Sequence, residues 1–260
     1  MKAMPAIFIG HGDPKNAIQD TIYTRRWKAI GEALPHPKAI LSISAHWYVA
    51  GTPVTAMDWP RTIHDFGAFP EDLHRFQYVV PGDARLARRV QQLLAPLVEV
   101  SLDTREWGLD HGTWAVLRHM YPSANVPVVQ LGIDYTKPPE HHFAIGRALM
   151  ALRDEGVLIV GSGNLVHNLH TAAWGRPRVE PSDCGLRFET SARALIMSGE
   201  LEPLLHYEGM GNDALLSVPT PDHFLPLLYV LGAHRRTDEI AFPVEGFDGD
   251  SVSMLAVQLG

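Results

Sequence analysis

The chain has 260 residues, 46% of them apolar and 20% charged, and a formal net charge of −7 without any basic run. That composition supports one large folded domain over residues 1–260, excludes intrinsic disorder and speaks against nucleic acid as a partner. The single cysteine, Cys184, excludes an intramolecular disulfide and leaves nitrogen and oxygen donors for any metal site.

After Met1-Lys2-Ala3-Met4-Pro5 the apolar run is only residues 6–9, which does not read as a signal peptide. No stretch approaches the roughly 18 apolar residues of a membrane span, so a cytoplasmic protein without a membrane partner is expected. Residues 6–9 read instead as a first buried strand. A helix over 16–34 follows, with Ile18, Ile22, Trp27, Ile30 and Leu34 on its apolar stripe and Pro35-His36-Pro37 ending it. Residues 39–44 form the next strand, ending at His46. Residues 52–80 show no clear helix, and such a long loop in a compact domain is usually functional; with Trp59, Phe66 and Phe69 in it, it could wall a pocket. Asp83 reads as the N-cap of a helix to Leu94.

A strand over 98–102, a helix over 113–120, a strand over 126–131 and a helix over 138–154 come next. A strand over 157–160 runs into Gly161-Ser162-Gly163-Asn164. Two or three helices fill 182–217, with Cys184 as a small helix residue. A strongly apolar helix carries Phe224, Leu227, Leu228 and Leu231, and strands over 240–244 and 252–259 close the chain. The alternation predicts a single α/β domain whose central sheet, mostly parallel or mixed, is flanked by helices. Such sheets bind ligands outside the carboxyl ends of their strands.

Four histidines sit in glycine- or proline-rich loops, three of which follow an apolar run. They are His11 in Gly10-His11-Gly12-Asp13-Pro14, His46 in Ser44-Ala45-His46-Trp47, His167 after Gly163-Asn164-Leu165-Val166, and His223 in Pro219-Thr220-Pro221-Asp222-His223. His111 follows Asp110 in a similar loop, and Asp110 could hold it. Each alone is equally readable as a turn, a cap or a helix start. Together they place imidazoles, the commonest side-chain metal ligands, at one end of the sheet. The remaining histidines read as bland: His36, His141, His142, His206 and His234 as solvent-facing, His119 and His170 as structural. The Gly-Ser-Gly-Asn turn lacks the lysine and spacing of a phosphate loop; no His-Glu-x-x-His or Gly-x-Ser-x-Gly motif occurs, against a zincin protease or a serine hydrolase.

Five segments carry a family resemblance in order along nearly the whole chain. They are Phe8-Ile9-Gly10-His11-Gly12-Asp13-Pro14, Ser42-Ile43-Ser44-Ala45-His46-Trp47, Trp107-Gly108-Leu109-Asp110-His111-Gly112-Thr113-Trp114, Gly161-Ser162-Gly163-Asn164-Leu165-Val166-His167-Asn168, and Pro219-Thr220-Pro221-Asp222-His223-Phe224. Through them the chain resembles the class III, LigB-type extradiol ring-cleavage dioxygenases, in the 4,5-DOPA dioxygenase-like branch. The resemblance implies a small aromatic diol and O2 as reactants and one divalent metal per chain, Fe(II) for activity or Zn(II) as bound. It implies His11 and His46 as ligands, with His223 where the wider class has a glutamate. His167 is implied as either a fourth ligand or the acid–base residue, and His111 as a contact to substrate or oxygen. An all-histidine set also suits zinc. Two rival readings therefore stay open: a zinc hydrolase with His167 or Asp110 as base, and a closed four-histidine zinc site that only stabilises the fold. Oligomeric state is left open.

Overall fold

The structure is a computed structural model that describes residues 3–170 and 180–260. In chain order it contains β1 (Ala6–Gly10), α1 (Ile22–Ala33), β2 (Ala39–Val49), β3 (Thr52–Thr55), α2 (Glu71–Arg75), α3 (Ala84–Leu94), β4 (Val100–Asp103) and α4 (His111–Met120). Then follow β5 (Val128–Asp134), α5 (Pro139–Leu149), β6 (Val157–Gly163), α6 (Asp183–Ser198), α7 (Glu202–Leu205), α8 (Asn212–Ser217) and α9 (Leu225–Gly232). The chain finishes with β7 (Ile240–Ala241), β8 (Phe247–Asp248), β9 (Val252–Ser253) and β10 (Ala256–Leu259).

Eight strands make one mixed sheet in the order β4-β3-β5-β2-β6-β1-β10-β7. Its centre, β5-β2-β6-β1, is parallel, whereas β10 runs antiparallel to β1 and β7, and β3 antiparallel to β5. The central strands are buried on both faces, which is why they read as continuous apolar runs without alternation. Phe8, Leu41 and Ile43 pack under α3, α5, α6 and α9, while Ile7, Ile9, Ile40 and Val160 pack under α1 and α4. The result is a single three-layer α/β domain. All eight residues of α9 are buried, as expected for a helix that is apolar all round. No helix among the described residues is long and apolar enough to cross a membrane.

Several boundaries differ from expectation. The helix expected over 16–34 is two pieces: a 3-10 turn, Pro14–Ala17, capped by Asp13, and α1, which starts afresh after a capping box between Thr21 and Thr24. The strand expected to end at His46 runs on to Val49, through an irregularity where its pairing with β5 shifts register between Ile43 and Tyr48. The segment 52–80 contains β3 and the one-turn α2. The last expected strand, 252–259, is split between a small β8–β9 hairpin and β10.

Candidate metal centre

β2, β6 and β1 lie side by side at the middle of the sheet, so residues at their carboxyl ends converge. β1 ends at Gly10, and the His11 N–H donates to Gly163 O at the end of β6 (3.0 Å). His46 sits inside the irregular stretch of β2, its N–H donating to Ser44 Oγ (3.3 Å). His111 opens α4, with Asp110 as N-cap accepting from Thr113 N. His223 precedes α9, and its carbonyl accepts from Asn164 N (2.9 Å). That approach needs Gly163: a Cβ there would lie 2.1 Å from His223 O. His167 is pinned by its N–H to Ser217 O (2.8 Å) and by a bridge to Val252.

His11, His46 and His223 each offer a ring nitrogen within 4.8 Å of the others. Their Nδ1 atoms are all occupied. Ser162 Oγ donates to Gly112 O and so accepts from His11 Nδ1–H (3.1 Å); His46 Nδ1–H donates to Asp65 Oδ2 (3.1 Å), and His223 Nδ1–H to Asp222 Oδ2. Each ring, when neutral, therefore presents its Nε2 lone pair inward. The Nε2 atoms of His11 and His46 are 3.1 Å apart, close to the spacing of two nitrogens each about 2.1 Å from one ion. Outer hydrogen bonds that fix the tautomer are the usual support of metal-bound imidazole, so these residues fit a borderline divalent cation such as Zn(II) or Fe(II).

The electrostatics favour the neutral ring at His11, His111, His167 and His223, but not at His46. Burial, then repulsion from His46, His223 and the other histidines, holds His11 well below the usual imidazole range. For His46 burial is outweighed by Asp65, with Asp110 and Asp222 adding, so its charged form is favoured, and a cation bound there would have to displace the proton from Nε2. His111 is pushed down to about 4 by burial and His46, although its Nδ1 donates to Asp65 Oδ2 (3.0 Å). His167 is pushed down to about 3 by burial and His223, partly opposed by Asp222. Its ring lies flat on His223, centroids 3.5 Å apart and 10° from parallel. Its nitrogen groups with Asp222 and His223 rather than with His11 and His46.

All five histidines line one cavity of about 490 Å³, together with Phe66, Phe69, Leu169, Val252 and the charged Asp13, Lys15 and Asp65, a volume suited to a small ligand. The segment 52–80 supplies one wall, as expected, through Phe66 and Phe69. Trp59 does not take part; it is 67% exposed. Asp110 does not hold His111: its carboxylate is turned into the core toward Thr113 and Gln130, where burial and Asp65 raise it to about 6. The partner of His111 is Asp65, a residue whose role nothing in the local pattern signals. Asp222 could have been read from its place beside His223. His142, expected in solvent, is fully buried with its Nδ1 against Tyr229 Oη (2.9 Å). His119 is structural, bonded to Asn16 O.

The family model described as the catalytic LigB subunit of aromatic ring-opening dioxygenase matches residues 5–242. An Escherichia coli K12 protein named 4,5-DOPA dioxygenase extradiol is 50% identical over 263 residues, spanning 99% of this chain and 95% of that one. A Beta vulgaris protein of the same name is 36% identical over 250 residues, spanning 95% and 92%. A crystal structure of an uncharacterized protein from Escherichia coli K12 superposes with a TM-score of 0.86 at 46% identity, covering 99% of this chain and all of that one. The chain belongs to the LigB family of aromatic ring-opening dioxygenases.

Proposed function

We propose that the protein is an extradiol dioxygenase that opens the ring of a DOPA-like catechol with O2, around one divalent ion held by His11, His46 and His223. The observation that carries this reading is the convergence of three Nε2 lone pairs whose Nδ1 atoms are all donated outward. Such an ion supplies Lewis acidity toward the diol oxygens and, as Fe(II), the redox capacity to activate dioxygen.

The protein residues do the rest. His167 is neutral at pH 7 and takes a proton from the incoming diol; Asp222 favours the charged ring until the proton is returned during ring opening. Its stacking beside His223 favours this acid–base role over that of a fourth ligand, and so disfavours the closed structural-zinc reading. His111 and Phe66, edge to face at 5.5 Å, bound the space for the aromatic ring. At the rim, Lys15 and Asp13 offer opposite charges to the carboxylate and ammonium of a DOPA side chain. A cytoplasmic setting suits an Fe(II) centre and a chain with a free Cys184.

The test is metal analysis, then anaerobic loading with Fe(II) and mixing with aerated DOPA. Stoichiometric oxygen uptake with a new visible absorbance is expected. Replacement of His11, His46 or His223 by Ala should abolish stoichiometric metal binding. His167→Ala should keep the metal and lose about 10²–10⁴ in kcat. Tightly held zinc that Fe(II) does not displace, with no oxygen uptake, would sink the dioxygenase reading.

A further inference from the structure

We propose that Asp65 is the positioning residue of this centre: one carboxylate sets the ring orientation and tautomer of both His46 and His111 and ties the aromatic wall of the cavity to the metal ligands. The inference rests on the metal-centre reading above. Asp65 Oδ2 receives Nδ1–H of His46 (3.1 Å) and Nδ1–H of His111 (3.0 Å), while Oδ1 receives the His111 backbone N–H (2.8 Å). The side chain is 14% exposed, so losing these bonds would leave buried donors unpaired.

The chemistry of a carboxylate matters here, because it only accepts. Both imidazoles are therefore obliged to present Nδ1–H, and in the neutral tautomer both Nε2 atoms carry the lone pair. For His46 that lone pair is the one aimed at His11 Nε2. For His111, which lines the cavity, Nε2 has no hydrogen-bond partner among the described residues, so it is available to a ligand as an acceptor.

The backbone makes the same residue a fastener. Asp65 lies between Ile63, bonded to Leu109 and through its carbonyl to Trp114 Nε1, and Phe66, whose ring meets His111. Phe66 in turn meets Phe69 at 5.3 Å. The wall and the ligand are thus held through one side chain, and neither can shift without the other.

An amide of the same shape reverses this logic. In Asp65→Asn the NH2 group would face either the two Nδ1 atoms or the His111 N–H. In the first case His46 is forced to carry its proton on Nε2, where it cannot ligate; in the second, two donors collide. We would measure Co(II) and Zn(II) affinity by competition with a chromophoric chelator, together with the Co(II) d–d spectrum, in wild type, D65N and D65E. The expected result is one ion per chain in wild type and affinity about 10–100-fold weaker in D65N with a changed Co(II) spectrum. D65E, which keeps an acceptor-only group, should bind more tightly than D65N and with the wild-type spectrum. With saturating Fe(II), D65N should also show a raised KM for catechols, because the Phe66 wall is released. Wild-type affinity and spectrum in D65N would overturn the assignment while leaving the metal centre intact. Equal losses in D65N and D65E would overturn the tautomer argument, and this comparison holds if one variant folds poorly, since metal binding is read on the folded fraction. Failure of the wild type to bind either ion would overturn the metal-centre reading itself and this inference with it.

Discussion

Lys15 stands where the cavity meets solvent, its Nζ 3.5 Å from Asp13 Oδ2 and 5.5 Å from the centre of the Phe69 ring. With its side chain 43% exposed, a charge-assisted bond from it to a substrate carboxylate is worth about 1 kcal/mol after solvent screening. Lys15→Ala should therefore raise KM for DOPA about fivefold, with a smaller change for catechol lacking the side chain; steady-state kinetics on the two substrates would show it, and equal changes would remove Lys15 from recognition. The histidines around it were legible because His11, His111 and His223 flank a strand end or a helix start and His46 and His167 follow apolar runs, and such positions have recognisable neighbours. Asp65 was not, because its partners lie 19 and 46 positions away and are met only when the chain crosses the sheet end. Asp110 misled because adjacency to His111 suggests pairing, yet the geometry of an N-cap turns its carboxylate back onto Thr113. His142 misled in the opposite sense: its place at a helix start suggested solvent, but α5 is packed on α9, where Tyr229 receives it.

Among the elements, the junction of β6 with α9 is the most demanding. Gly163 lets the His223 carbonyl come within hydrogen-bond reach of Asn164, and Gly163→Ala would force β6 and the start of α9 apart. We expect roughly 1–3 kcal/mol of lost stability and, because His223 moves with α9, loss of tight metal binding out of proportion to that figure. Thermal unfolding and metal titration on one sample would separate the two effects; intact metal affinity would show that His223 is placed independently of β6. The strand–helix alternation was readable from apolar runs and from the Asp83 cap. What failed was continuity. The break between Ala17 and Ile22 lies inside an unbroken apolar stripe, and the extension of β2 past His46 follows from pairing with β5, which no local pattern encodes.

Across the whole molecule, one buried cation gathers distant parts. Arg153, with no exposed side-chain surface, donates to Met4 O, Ala233 O and Leu259 O and forms a two-pronged pair with Asp238. Burial alone would raise the Asp238 carboxyl, but the Arg153 hydrogen bonds outweigh it and hold it below its ordinary value. A depressed folded-state value means the pair stabilises above the unfolded carboxyl pKa near 3.9 and loses that contribution as pH falls through the folded value. Asp238→Asn should cost about 3 kcal/mol at neutral pH, roughly 6–12 °C in Tm. The difference from wild type should shrink below about pH 4, as acid removes the wild-type charge. Denaturant curves at pH 7 and pH 3 would test this, and a gap of equal size at both would refute it. Nothing in the sequence marked Arg153 for this role, since its partners come from both ends of the chain.

The neighbours of β1 also carry a meaning for biosynthesis. Ala6 pairs with Ile159 on one side and Leu259 on the other. His11 therefore leaves the ribosome long before the strands that will flank it, and His223 follows more than two hundred residues later. Assembly from contacts so remote along the chain is intrinsically slow. A nascent chain would have no place to keep an ion, and metal acquisition would be one of the last events in the protein's maturation.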